Sequence, residues 1–291
     1  MESSSRHPAG SSDTNHHPPG DVHRASRPLY GKGLRALSIS TVAVMAIALG
    51  LVFFYAPLEA EQGFLQKIFY VHVPLAIVAL CGFVAGGLMA IQHLRTRDPR
   101  WDMRSYVAIH MSLIFGVATL ITGSIWAKGS WGHWWVWDEP TLVSFLIVFL
   151  LYATYQPLRF AIEDPERQAR YASVFAVTAG AFVPMNFIAV RLSSAYVHPR
   201  VLGSTSNLPP RMAVTFLLSL LGMALLYMTL CKYELTAKHT RAQLRALRRL
   251  ADRRSGRSDV AETQARQPRS AAPSPHTATA MTARPLGRPG V

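Results

Sequence analysis

The sequence predicts an all-α integral membrane protein with six transmembrane helices. Two observations lead to this fold class. Half of the 291 residues are hydrophobic, and charged residues make up only 16% and gather in the two ends and the connecting loops. A helix needs about 20 apolar residues to cross a hydrocarbon core about 30 Å thick. Six stretches approach or exceed that length, at residues 36–55, 71–92, 106–126, 141–155, 171–190 and 212–233.

The sequence signals that mark where each of the six spans begins or ends differ from span to span. A long polar segment precedes the first span, so we expect that span to be retained and not cleaved as a signal peptide. Pro74 suits the first turn of the second helix, where its missing N–H costs nothing. The fourth span is short, and we expect the Asp138-Glu139-Pro140 turn and Gln156 to lengthen it. The sixth is predicted to continue beyond 233, either as a cytoplasmic extension of the helix or as an amphipathic surface helix near anionic lipid.

The distribution of basic residues predicts the orientation. Lys and Arg gather before the first span, in the second and fourth loops and after Lys232, whereas the odd-numbered loops carry few. By the positive-inside rule, both termini are cytoplasmic and the loop between spans three and four is extracytoplasmic.

Three regions follow from composition: a disordered tail at 1–29, a six-helix domain at 30–235, and a basic, largely disordered tail at 236–291. The net charge of +14 arises mainly from the tails. Such tails are usually solvated or near anionic lipid, so we predict membrane lipid as a partner and no nucleic acid.

Four of the six tryptophans fall within seven residues, in Trp131-Gly132-His133-Trp134-Trp135-Val136-Trp137-Asp138. Tryptophan favours both the membrane interface and flat aromatic ligands, because a large apolar face is joined to an N–H that needs a partner. Asp138 closes the cluster and is expected either to cap the fourth helix or to serve the site directly.

Two histidines share the predicted face of the tryptophan cluster. His72 lies where the chain enters the second span, and His198 lies in the turn-rich loop between spans five and six. Two neutral imidazoles and an aromatic platform suit haem, whose iron takes axial ligands from both sides. No Cys-x-x-Cys-His is present for covalent attachment. His133 is a less favoured third ligand, and the cations within reach of the haem propionates are Lys67, Lys128, Arg191 and Arg200.

Two other functions stay open on the residues alone. His93 and His110, toward the cytoplasmic ends of spans two and three, could hold a second haem, as in an electron-transfer cytochrome b subunit. Hydrogen bonds at helix ends are the simpler explanation of both. Alternatively, the tryptophans could form only an interfacial belt in a transporter or structural subunit.

The tryptophan segment, combined with Tyr70-Val71-His72-Val73-Pro74 before the second of six spans, resembles the haem exporter protein C family, CcmC, over residues 30–235. The resemblance implies a non-enzymatic factor of the inner membrane. In this family, haem b is bound non-covalently and transiently at the periplasmic face, and is delivered to the haem chaperone CcmE. The implied partners are CcmA, CcmB and CcmD. The implied site consists of axial ligands His72 and His198 and a platform of Trp131, Gly132, Trp134, Trp135, Trp137 and Asp138.

The chain departs from that family at two points that concern the site. Before the second ligand, the family often has tryptophan and a Thr-Leu-His sequence, whereas this chain reads Ser193-Ser194-Ala195-Tyr196-Val197-His198. Where many members have an arginine soon after the aspartate, this sequence reads Glu139-Pro140-Thr141-Leu142. A cation that could meet a haem propionate is therefore absent at that position.

Overall fold

A computed structural model describes residues 33–192 and 208–266, and the side chains among them except Ala189 and 253–266. Within these residues the chain is helical and contains no β-strand, which confirms the all-α class. A short 3-10 helix, Phe64–Ile68, precedes the second helix. The α-helices are α1 (Leu34–Phe54), α2 (Phe69–Thr96), α3 (Pro99–Trp131), α4 (Pro140–Ala153), α5 (Tyr155–Phe160), α6 (Pro165–Leu192) and α7 (Pro210–Arg266).

Among the described residues, six helical segments are long and apolar enough to cross a membrane, in agreement with the six predicted spans. The fourth is made of α4 and α5 together, which follow one another across Thr154 and reach 21 residues. The sixth belongs to α7, which continues as helix to Arg266. The chain divides into two units at residue 242, and residues 243–266 form the helical part of the second unit.

Three helices begin with an acidic residue followed by proline. Asp98 accepts a hydrogen bond from the backbone N–H of Arg100 at 2.8 Å, and Asp164 accepts one from that of Arg167 at 2.9 Å. At α4 the cap is Glu139, so the alternative that Asp138 caps this helix is wrong. Pro140 explains the difference, because proline favours the first helical position and holds the residue before it extended, which is the cap geometry.

The second helix begins earlier than its proline indicates. The 3-10 helix leads directly into α2 at Phe69, so Pro74 is the sixth residue of α2 and its predicted place in the first turn is wrong. The buried ammonium of Lys67 donates to the carbonyl oxygens of Val52 and Phe53 at the end of α1. This contact ties the C-terminus of α1, where the helix dipole is negative, to the entry of α2.

Helix α2 lies at the centre and packs along α3 and α6. At its crossing with α6, a Cβ on Gly87 would lie 3.3 Å from the Cα of Gly180, so the two backbones approach as closely as small residues permit. On the same side the buried ring of Tyr152 in α4 stacks on Phe83 with centroids 4.0 Å apart, and its hydroxyl donates to the Phe83 carbonyl. These contacts fix α4 and α6 against the face of α2 that carries the site.

Candidate functional site

A cavity of about 230 Å³ lies among α2, α3, α4 and α6, at the end of the bundle that includes the tryptophan segment. Its wall is mostly apolar, with aliphatic and aromatic side chains from all four helices. The described side chains of the wall that carry polar groups are Gln62, His72, Thr119, Trp126, Trp131, Trp135, Thr141, Ser144, Asn186 and Arg191. An apolar cavity with a few converging polar groups is the usual form of a small-molecule site.

His72 is held in this wall by α3. Its Nδ1 lies 3.1 Å from the hydroxyl oxygen of Thr122, and its ring meets the edge of Trp126 with centroids 5.7 Å apart. The indole N–H of Trp126 in turn donates to the side-chain oxygen of Gln62 at 2.9 Å. Gly123 leaves the space that the imidazole fills, since a Cβ there would lie 2.7 Å from Cε1 of His72. The ring orientation is therefore fixed by a hydrogen bond, an aromatic contact and a missing side chain.

The tryptophan segment divides into two sets. Trp131 and Trp135 line the cavity, whereas Trp134 and Trp137 lie outside its wall and are 60% and 70% exposed. The two sets touch, because the rings of Trp135 and Trp137 meet at an angle of 63° with centroids 6.0 Å apart. The structure thus brings His72 together with two of the four predicted tryptophans.

Gly132 and Asp138 lie outside the cavity wall. Gly132 ends α3 with φ of 76°, a left-handed conformation that favours glycine, and its carbonyl accepts a hydrogen bond from Lys128 at 2.8 Å. Asp138 is exposed. The helix ends at Gly132, and three residues later Trp135 lines the cavity.

Two buried polar atoms near the start of α4 have no hydrogen-bond partner among the described residues: the indole nitrogen of Trp135 and the hydroxyl oxygen of Thr141. Both side chains line the cavity. A buried donor without a partner costs about 1–3 kcal/mol, so native proteins rarely keep one unless a ligand or water completes it. With the imidazole of His72 and the flat faces of Trp131 and Trp135, these donors fit haem.

The structure describes three of the four cations that the sequence placed near the propionates, and only one of the three lines the cavity. Lys67 is buried against the end of α1, and Lys128 bonds to the carbonyl at the end of α3. Arg191 lines the cavity, with its guanidinium carbon 5.1 Å from the ring centroid of Phe187. Arg200 lies outside the described residues, as does His198.

The remaining candidate histidines are placed elsewhere. Nδ1 of His93 lies 3.1 Å from the carbonyl oxygen of Asp98, and His110 contacts Gln156 and stacks on Tyr106. His93 makes the expected helix-end contact, whereas His110 lies inside α3 and contacts α5, so the helix-end contact expected for His110 is wrong. His133 is exposed and does not line the cavity.

A model of the family described as "Heme exporter protein C" (CcmC) matches residues 22–253, most of the chain. The chain belongs to the CcmC family. It is 31% identical over 218 residues to heme exporter protein C of Rhodobacter capsulatus, covering 72% of this chain and 86% of that protein. The Paracoccus denitrificans protein of the same name is also 31% identical, over 68% of this chain and 83% of its own length. A putative cytochrome c biosynthesis ccmC-like mitochondrial protein of Marchantia polymorpha is 37% identical over 130 residues, 45% of this chain and 54% of that protein.

Family membership confirms the resemblance drawn from the two motifs. The CcmC family handles haem in cytochrome c maturation, and the six span-length helices make this member a multi-pass membrane protein. The sequence did not indicate Thr122, Gly123 or Thr141 as parts of the site. Thr122 and Gly123 meet His72 across the α2–α3 interface, which no local pattern in either helix encodes.

Proposed function

We propose that this chain binds haem b non-covalently and transiently in the cavity, and delivers it to the haem chaperone CcmE during c-type cytochrome maturation. The observation that carries the proposal is the position of His72, whose imidazole shares one cavity wall with Trp131 and Trp135. A histidine nitrogen is one of the protein ligands that haem iron accepts, and flat apolar surfaces suit its macrocycle; this wall offers both.

His72 is the proposed axial ligand through Nε2, because Thr122 engages Nδ1. A hydrogen bond to the second ring nitrogen orients a ligating histidine and selects its tautomer. His198 is the proposed second axial ligand and remains a proposal from the sequence, since it lies outside the described residues.

Delivery requires that part of the bound haem stays reachable. Trp134 and Trp137 are well exposed beside the cavity, and we assign them to the surface that the acceptor meets, together with Asp138. CcmA, CcmB and CcmD are the proposed assembly partners. The proposed orientation has both termini in the cytoplasm and the cavity at the periplasmic face of the inner membrane, in accord with the distribution of basic residues.

Spectroscopy of the purified chain tests this function. With haem supplied, the wild type is expected to show a Soret band that His72→Ala loses, while His93→Ala keeps it, because His93 already has a carbonyl partner away from the cavity. Acidification is expected to release the haem, since a protonated imidazole cannot bind iron. Wild-type haem occupancy in His72→Ala would remove His72 as ligand. Two haems per chain, one lost in His93→Ala, would favour a cytochrome b subunit instead.

A further inference from the structure

The proposed iron ligand, His72, is linked through Trp126 to the loop between α1 and the 3-10 helix, residues 55–63, which we call the entry loop. The rings of His72 and Trp126 meet at 78° with centroids 5.7 Å apart. The indole N–H of Trp126 donates to the side-chain oxygen of Gln62, in the entry loop, at 2.9 Å. Two successive contacts thus join the iron ligand to this loop.

The contact between His72 and Thr122 selects the tautomer of the imidazole but not the plane of its ring. The hydroxyl of Thr122 donates to the carbonyl oxygen of Ala118 at 2.8 Å, so its oxygen is the acceptor for an N–H at Nδ1 of His72. Nε2 then keeps the lone pair that iron ligation requires. A hydrogen bond at one ring nitrogen still lets the imidazole turn about the line between the two bonded atoms. A second ring in contact limits this rotation, and Trp126 supplies it.

Gln62 gives the indole of Trp126 a fixed direction. Phe69 also meets this indole, at 74° with centroids 6.4 Å apart. Aromatic pairs are favourable over a range of centroid distances of about 4.5–7 Å, so packing alone leaves the indole room to shift. An indole has a single N–H donor, and the hydrogen bond from that donor to Gln62 removes this freedom.

The backbone around Gln62 is anchored in turn. The backbone N–H of Gln62 donates to the carboxylate of Glu59 at 2.7 Å, and the backbone N–H of Gly63 donates to the carbonyl oxygen of Glu59 at 2.9 Å. Gly63 has φ of 55°, a conformation that favours glycine, and the 3-10 helix begins at the next residue. The entry loop therefore holds the Gln62 side chain at a set position.

We propose that Gln62 is a positioning residue for the iron ligand, which holds the plane of the His72 imidazole through Trp126. This inference rests on the proposed function and adds to it the residue by which the entry loop sets how strongly the iron is held. Loss of the hydrogen bond between Gln62 and Trp126 leaves His72 in the cavity wall but lets its ring turn away from the geometry that the iron prefers. Binding of the iron is then weakened, whereas binding of the macrocycle is not.

The test compares two ligands on the full chain in detergent. Iron protoporphyrin IX and metal-free protoporphyrin IX share the macrocycle and its side groups, but only the first carries the metal that a histidine binds. We expect Gln62→Leu to weaken binding of iron protoporphyrin about 3- to 10-fold, the scale of one lost hydrogen bond, and to shift its Soret band. Binding of the metal-free porphyrin, followed by its fluorescence, should stay within about two-fold of the wild type.

Two further variants separate positioning from a general effect on the fold. Trp126→Phe removes the indole N–H and should reproduce the pattern of Gln62→Leu. Gln62→Glu keeps an acceptor for that N–H and should keep the wild-type Soret band and iron affinity. Should Gln62→Leu lower the abundance of the protein in membranes, Trp126→Phe decides between the outcomes on its own.

Glu61→Leu is the matched control, because Glu61 is the exposed neighbour of Gln62 in the entry loop and lies outside the cavity wall. It should leave binding of both porphyrins unchanged. If Gln62→Leu and Trp126→Phe weaken both porphyrins equally, or weaken neither, the positioning role is refuted and the haem site stands. If the wild type binds iron protoporphyrin no more tightly than the metal-free porphyrin, the proposed ligation by His72 fails and the positioning role fails with it.

Discussion

Adding one methyl group at Gly123 is expected to displace His72, the proposed iron ligand, without unfolding the helix. A Cβ at this position would lie 2.7 Å from Cε1 of His72 and 3.4 Å from Nδ1. Carbon atoms in contact prefer separations of about 3.5–4.0 Å, so the imidazole must move by roughly 0.8 Å or more. Overpacking of this kind costs about 1–3 kcal/mol. If displacement of the His72 imidazole accounts for this cost, haem affinity falls by about 5- to 150-fold.

The helix itself should tolerate the change. Alanine is favoured over glycine inside a helix by about 0.5–1 kcal/mol, so α3 loses no intrinsic stability in Gly123→Ala. The assay is a Soret titration of the purified variant, beside its abundance in membranes and its elution on gel filtration. We expect normal abundance and elution with weakened haem binding and an altered Soret position.

Gly50→Ala is the matched control, because Gly50 also lies inside a helix but, apart from its chain neighbours and the nearby backbone of its own helix, no heavy atom lies within 4 Å of its added Cβ. This variant should bind haem like the wild type. Wild-type affinity in Gly123→Ala would contradict the argument, since it would mean that the His72 ring is not held at the distance described or does not ligate the iron.

Three further predictions follow from single contacts. Thr122→Val removes the 3.1 Å contact with Nδ1 of His72 and should lower haem affinity about 10- to 100-fold in Soret titrations, as loss of an orienting partner does at metal sites. Trp134→Ala should leave haem affinity within about two-fold, because the ring is 60% exposed outside the cavity, yet reduce the haem loaded onto CcmE at equal membrane abundance. The pKa of the Asp164 carboxyl lies below its ordinary value of 3.8, because the backbone N–H groups of Arg167 and Glu166 donate to it. The Asp164 carboxylate therefore caps α6 fully at pH values above its ordinary pKa, and the cap is lost as the pH falls through its lowered pKa. Protection of the Arg167 amide from hydrogen exchange should drop at low pH in the wild type but not in Asp164→Asn.

The apolar runs predicted the number of spans but not every boundary. The first span, predicted at 36–55, agrees closely with α1 at Leu34–Phe54, because the apolar run and the helix end together. The third was predicted at 106–126, whereas α3 covers Pro99–Trp131. Its start is decided by the Asp98 cap and its end by Gly132, and neither signal depends on hydrophobicity. Hydropathy indicates the part of a helix that crosses the membrane, whereas the capping residues indicate where the helix begins and ends.

The sequence predicted those site residues whose type is unusual at their position in the chain. His72 in an apolar entry segment and the dense tryptophan cluster could both be found from the sequence. The division of that cluster could not, because Trp131 ends a helix and the other three lie in an irregular segment without a repeating period. Thr122 and Gly123 were out of reach for a different reason, since their contact with His72 depends on the register of α2 against α3.

The buried donors of the cavity that lack a partner among the described residues imply that the haem-free protein is less stable than it would be without them. Removing the buried hydroxyl of Thr141 as Thr141→Val deletes a polar atom that lacks a partner among the described residues, which should stabilise the haem-free protein by about 1 kcal/mol. For a chain of this size that is a rise of about 2–4 °C in Tm, measured by thermal unfolding in detergent. Haem should raise the Tm of the wild type by mass action, and by less in the variant, because the variant binds it more weakly. A lowered Tm in the haem-free variant would mean that the hydroxyl already serves the fold, in which case it is not held in reserve for a ligand.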